Sequence, residues 1–143
     1  IDRYSGAFIG RYEDKVENQF YWYIRPQETG NKTDVRWLTL LDSGGLGVKI
    51  TGLQPISFSA LHFSPEDLDP GLTRKLQHTI DIVPQKNIFL HVDLKQRGLG
   101  GDNSWGMYPH NEYRLLDKKY TYSYMIELVE KGSDKNDYLN SRK

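Results

Sequence analysis

No cysteine occurs among the 143 residues, which excludes a disulfide framework and thiol chemistry while leaving the compartment open. A dominant charge sign is missing too: 19 Lys and Arg offset 19 Asp and Glu. With no net field to steer it, the chain is not expected to take nucleic acid or anionic lipid as a partner. No apolar run approaches the roughly 20 residues of a membrane-spanning helix, so no membrane partner is expected. The opening Ile1-Asp2-Arg3-Tyr4 has no initiator Met, basic leader or apolar signal core, and it reads as a cut within a longer chain. Metal-binding patterns are equally thin. His62, His78, His91 and His110 fall at no His-x-x-x-His spacing. His91 and Asp93 on one strand face would supply two ligands at most, so no metal site is expected. Gly98-x-Gly100-Gly101 lacks the third glycine and the following helix of a dinucleotide fingerprint. Asn31-Lys32-Thr33 matches an N-glycosylation acceptor, a pattern that carries meaning only on a secretory route.

Aromatic side chains are abundant, with ten Tyr and three Trp, which suits both β structure and sugar contact. Strand signals dominate. Phe20-Tyr21-Trp22-Tyr23-Ile24 is an aromatic run stopped by Pro26, which cannot donate to a ladder. Val35, Trp37, Thr39 and Leu41 alternate, predicting a strand over 33–41 that buries Val35 and Trp37. Asp42-Ser43-Gly44-Gly45 reads as a hairpin turn into a strand over 46–51. The alternation resumes over 55–61, with Ile56, Phe58 and Ala60 on one face. Further strands are predicted over 76–83, 87–94 and 120–129. Ser64-Pro65-Glu66-Asp67 is the single helix start, a serine cap before a proline and acids, and Pro70-Gly71 ends it within a turn or two. Residues 131–143 have the composition of a polar, flexible tail. The pattern predicts an all-β, antiparallel sandwich.

Few residues are candidates for chemistry. Asp93, Asp102 and Glu112 lie in one region, but glycosidic cleavage needs two carboxyl groups held face to face. Acids spaced along strands and loops are more often solvated, so no catalytic pair is expected here. Arg25, Glu28, Asn31, Asp34 and Arg36 either line a sugar subsite or satisfy one another in a structural turn, and the structural reading is preferred. Leu99-Gly100-Gly101-Asp102-Asn103-Ser104-Trp105-Gly106 differs in kind: it mounts an indole among turn-formers that tolerate positive φ or bond their own backbone. Trp105 there suits stacking on the apolar face of a sugar, or alternatively plugs the edge of a β core.

Two blocks carry a family resemblance. Gly98-Leu99-Gly100-Gly101-Asp102-Asn103-Ser104-Trp105-Gly106 and, earlier, Tyr23-Ile24-Arg25-Pro26-Gln27-Glu28-Thr29-Gly30-Asn31-Lys32-Thr33-Asp34-Val35-Arg36-Trp37 are similar to segments of the last, small-chain domain of glycoside hydrolase family 2 β-galactosidases. They occur in the family's order, and the likeness extends over about residues 2–130. The resemblance implies that residues 1–130 form the C-terminal half of that domain, part of a supersandwich of the galactose-mutarotase kind, with 131–143 as the tail. It implies a parent enzyme that hydrolyses terminal β-galactose from β-galactosides such as lactose. The parent's carboxylates, magnesium and sodium would lie in a (β/α)₈ barrel absent here, since a barrel alone needs about 250 residues. No cofactor is then expected in this chain, and the chain alone is expected to be inactive. Trp105 is the position to which the family gives a substrate role, as a platform for the aglycone sugar. Gly100, Gly101, Asp102, Asn103 and Ser104 would be its scaffold. Implied partners are the β-galactoside, the remaining domains of the parent and further copies in a homo-oligomer, in the cytoplasm or the periplasm, the cytoplasm being preferred. The rival readings are a stand-alone carbohydrate-binding sandwich module and a small aldose epimerase. The second would need a catalytic His and Glu across a concave sheet, and no such pair is indicated.

Overall fold

A computed structural model describes residues 8–22, 29–69, 71–72, 78–98, 100–103 and 105–131. They form an all-β unit around one antiparallel sheet of four strands with a single turn of helix. The expected sandwich is represented among them by this one leaf. Strand β1 (Lys32–Leu41) turns into β2 (Gly47–Leu61). The turn is built by Asp42, whose carboxylate accepts from the amides of Gly44 (2.8 Å) and Leu46 (2.9 Å). Gly45 takes the left-handed conformation at φ 83°, which explains the glycine there.

β2 is the spine. The two strands predicted over 46–51 and 55–61 are one strand running through Pro55. On the side away from β1 it pairs with β4 (Tyr124–Val129) along its first half and with β3 (Phe89–Asp93) along its second. Pro55 falls in the gap between the two ladders, where its missing N–H leaves no vacancy. That gap is bridged by Ser123, whose carbonyl accepts from the Leu53 amide (3.0 Å) and the Gln54 side chain (3.1 Å).

The alternation along β1 does not hold as predicted. Register slips between Lys32 and Val35 and between Val35 and Trp37, and Asp34 sits at φ 55°. These irregularities gather Val35, Leu38 and Leu40 against Ile50, Ile56 and Phe58. Leu38 is the buried residue of β1, while Trp37 is only half-buried on the opposite side of the strand. Ile50 and Ile56 are sealed, each such side chain contributing about 1.5–3 kcal/mol of burial. A second cluster joins Leu61, Phe63 and Leu68 to Phe20 and Ile82. Helix α1 (Pro65–Leu68) enters it through a reciprocal cap: Asp67 N–H donates to the Ser64 hydroxyl (3.2 Å) and the Ser64 amide donates to the Asp67 carboxylate (2.7 Å).

Three other strand expectations need correction. Within 78–83 the chain forms only a short 3-10 turn, Thr79–Asp81, because the Asp81 carboxylate captures the His78 amide (2.7 Å) and offers the backbone a local partner instead of a ladder. Residues 76 and 77 lie outside the described residues. Phe20, Tyr21 and Trp22 are not in a strand; Phe20 turns inward onto Phe63, ring centroids 4.6 Å apart. Tyr23 and Ile24 lie outside the described residues. The last strand starts at Tyr124, not Tyr120, since Tyr120 bonds back to the Asp117 amide (2.8 Å) and Tyr122 reaches across to the Val92 carbonyl (3.0 Å). The tail lies outside the described residues from 132 onward.

Candidate functional site

Between β3 and β4 the chain leaves the sheet as a long irregular excursion, and Trp105 is on it. The excursion is pinched at its base, where the Gly98 amide donates to the Tyr113 carbonyl at 2.6 Å. A short 3-10 turn over Asn111–Tyr113 carries the returning arm. Gly101 lies so close to that arm that a Cβ there would collide with the Met107 carbonyl group and come within 2.8 Å of the Tyr108 carbonyl oxygen. Across the middle, His110 Nε2 meets Asp102 Oδ1 at 2.7 Å. Near the tip the Trp105 amide donates to Asn103 Oδ1 at 2.9 Å, which fixes a local turn. Gly106 follows at φ 105°, a conformation that favours glycine.

The indole of Trp105 is 90% exposed, so it does not plug the core. Of its expected scaffold, Gly100 and Gly101 form the outgoing arm, Asp102 bonds His110 and Asn103 holds the Trp105 amide. Ser104 lies outside the described residues. Behind the loop, Asp102, Met107, Tyr108, His110 and Arg114 line a cleft of about 650 Å³. The Arg114 guanidinium stands 5.0 Å from the centre of the Tyr108 ring, a cation–π arrangement that stiffens the returning arm. The Asp102 hydrogen bond and charge hold the His110 imidazole above its ordinary range, and Glu112 adds to this. Hydrogen bonding and charge from Glu112 also push the Tyr113 phenol up. His110 is the functional candidate that sequence reasoning passed over. Its only sequence signal is a histidine beyond a glycine-rich loop from an aspartate.

The other candidates are dispersed. Asp93 accepts from Gln96 (3.3 Å) and lines a separate cleft of about 440 Å³ with His91, Ser59 and Lys95. Asp102 is engaged by His110 and Glu112 by Tyr113. The three carboxylates are thus each matched to a different neighbour. Among the described residues, no group of three His, Cys, Asp or Glu side chains is placed to hold a metal ion. Likewise, no helix among them is long and apolar enough to cross a membrane. Arg25 and Glu28 lie outside the described residues. Of the rest, Asp34 and Arg36 are exposed, while Asn31 is only 6% exposed. Both polar atoms of the Asn31 side chain are buried and have no hydrogen-bond partner among the described residues. A folded chain therefore offers this acceptor to no glycosylating enzyme.

Comparison with known proteins extends the geometry. The family model described as "Beta galactosidase small chain" matches residues 1–126. The chain is 35% identical to a β-galactosidase of Priestia megaterium over 127 residues, covering 88% of this chain and 12% of the relative. It is 36% identical to one of Streptococcus thermophilus over 128 residues, again 88% and 12%. With one of Lactobacillus delbrueckii subsp. bulgaricus it shares 35% over 119 residues, 82% of this chain and 11% of the relative. The chain therefore spans about an eighth of the length of the curated relatives it matches.

Proposed function

The chain belongs to the β-galactosidase small-chain family, and from that membership we propose that it works as one part of a β-galactosidase, supplying the platform on which the leaving sugar rests. The observation that carries this reading is the exposed Trp105 indole on a loop braced by its own side chains. A flat apolar ring offered to solvent suits the apolar face of a pyranose, and the carboxylate and amide groups beside it suit sugar hydroxyls. Holding the aglycone there orients the scissile bond without taking part in bond chemistry. The two carboxyl groups that cleave the bond with retention, and the parent's magnesium and sodium, would be supplied by domains outside this chain. Asp93, Asp102 and Glu112, each engaged by a different neighbour, are not proposed as that pair.

The test separates the part from the whole. The isolated chain should show no turnover of a chromogenic galactoside. A β-galactosidase lacking this segment should lose lactose hydrolysis and regain it when the separate chain is added. Turnover by the isolated chain that survives repurification and disappears on mutating Asp93 or Glu112 would overturn the reading. Lactose binding by the isolated chain would favour the stand-alone binding module instead.

A further inference from the structure

We propose that His110 is a positioning residue for Trp105: through its bond to Asp102 it clamps the two arms of the loop and so sets where the indole stands. The inference rests on the platform reading for its kinetic consequence, but the clamp itself is a property of this chain. The indole is almost fully exposed, so packing does not hold it. On either side of it, Gly100 and Gly106 have nothing within 4 Å of where a Cβ would be, and glycines leave the backbone free to swing. The position of the ring must therefore come from how the two arms are held, by the close approach of Gly101 to the backbone of Met107 and Tyr108 and by bonds. Three such bonds are found among the described residues: the backbone pinch from Gly98 to Tyr113, the local bond from Trp105 to Asn103, and the cross-arm bond from Asp102 to His110. The first lies at the base and the second within one arm. Of these, only the third ties the outgoing arm beyond its base, three residues before Trp105, to the returning arm.

The polar groups of the cleft behind the loop serve one another: His110 bonds Asp102, and Arg114 bonds the Asn111 side chain (3.2 Å) while covering Tyr108. This is the pattern of a brace, in which ordering before binding removes part of the entropic cost of seating a ligand. Around His110 stand Asp102 and Glu112, which favour its cation, and Arg114, which lines the same cleft. The imidazole is thus charged at pH values where a free one would be neutral. As the pH rises through its raised value the ionic part of the clamp is lost, and a neutral N–H···carboxylate bond remains.

Amide order parameters of Asn103, Trp105 and Gly106 in the full chain test the clamp near pH 6. The wild-type values should be close to the rigid limit of about 0.85, and they should fall towards about 0.6 in His110→Ala. His110→Gln, which keeps a donor for Asp102, should restore them. In a β-galactosidase carrying this segment, His110→Ala should raise KM for lactose about two- to fivefold, the range for an exposed ion pair. The kcat should hold, the Gln variant should recover most of the loss, and the change should add nothing to Trp105→Ala. Unchanged order parameters in His110→Ala, or an effect on KM that persists in full beside Trp105→Ala, would overturn the proposal. A loosened loop together with a KM indifferent to Trp105→Ala would leave the clamp standing and remove the platform instead.

Discussion

Gly101→Ala set beside Gly100→Ala probes the loop with one methyl group at two adjacent positions. At Gly101 the added Cβ would come within 2.8 Å of the Met107 carbonyl carbon and of the Tyr108 carbonyl oxygen, closer still to the Met107 oxygen. These are backbone atoms, so no side chain can swing aside to make room. The returning arm must move instead. Overpacking of this kind typically costs about 1–3 kcal/mol. The lower half of that range is expected, because an exposed loop yields more readily than a core. At Gly100 the methyl group meets nothing within 4 Å, and a Gly→Ala change at an unstrained position stabilises by about 0.4–1 kcal/mol through the unfolded chain. Urea melts of the two variants should therefore differ by roughly 1.4–3 kcal/mol, with opposite signs relative to wild type. In a β-galactosidase carrying the segment, Gly101→Ala should also raise KM for lactose, up to the roughly tenfold ceiling set by the whole stacking contribution. Gly100→Ala should leave KM where it was. Equal melts and equal KM values for the two variants would show that the arms do not touch as described, and would refute the reasoning.

In the sheet, Ile56→Ala removes a side chain only 1% exposed at the centre of the main cluster. It should cost about 2–5 kcal/mol by denaturant unfolding. Ile126→Ser, on an edge strand and 62% exposed, should stay within about 0.5 kcal/mol; a large loss there would mean that β4 is covered in solution. Ser64→Ala removes the acceptor for the Asp67 amide and should cost about 0.5–2 kcal/mol. Asp67 adds a pH dependence. Burial opposes its charge, but bonds from the Ser64 amide, the Gln85 side chain and the Ser64 hydroxyl prevail and hold its carboxyl below 3.8. Its contribution is therefore present above pH 3.8 and lost as the pH falls below it. Asp67→Asn should flatten that acid limb of the stability curve, and an unchanged limb would contradict the assignment.

How far the residues predict the structure depends on whether the deciding contact is local. The Asp42 turn, the Ser64 cap and the one-turn helix are governed by side chains bonding backbone within four residues, and all three were legible. The burial of β1 was not: period-two alternation points to Val35 and Trp37, but the slips around Asp34 move the buried position to Leu38. A bulge has no signature in the alternation it interrupts. Phe20 reads as a strand residue because its neighbours are aromatic, yet its partner is Phe63, far along the sequence. At the site, the glycines and Asn103 announce a loop, but the turn-formers leave Trp105 open between stacking and core-filling, and its exposure is shown by the structure. The brace from His110 was not legible either, because a bond across eight residues of loop depends on how the arms return, which no local rule supplies. The family blocks carried the functional reading beyond what residue types alone could decide between stacking and core-filling.

The central claim is that Trp105 faces a sugar and does not support the fold, and Trp105→Ala measured two ways tests it most directly. In the chain, denaturant unfolding should change by less than about 0.5 kcal/mol, because the ring is 90% exposed. In a β-galactosidase carrying the segment, the KM for lactose should rise by as much as roughly tenfold, since stacking is worth about 0.5–1.5 kcal/mol and 1.4 kcal/mol is a factor of ten. A loss of about 3–5 kcal/mol in the chain, the cost of removing a buried aromatic, together with an unchanged KM, would contradict the account.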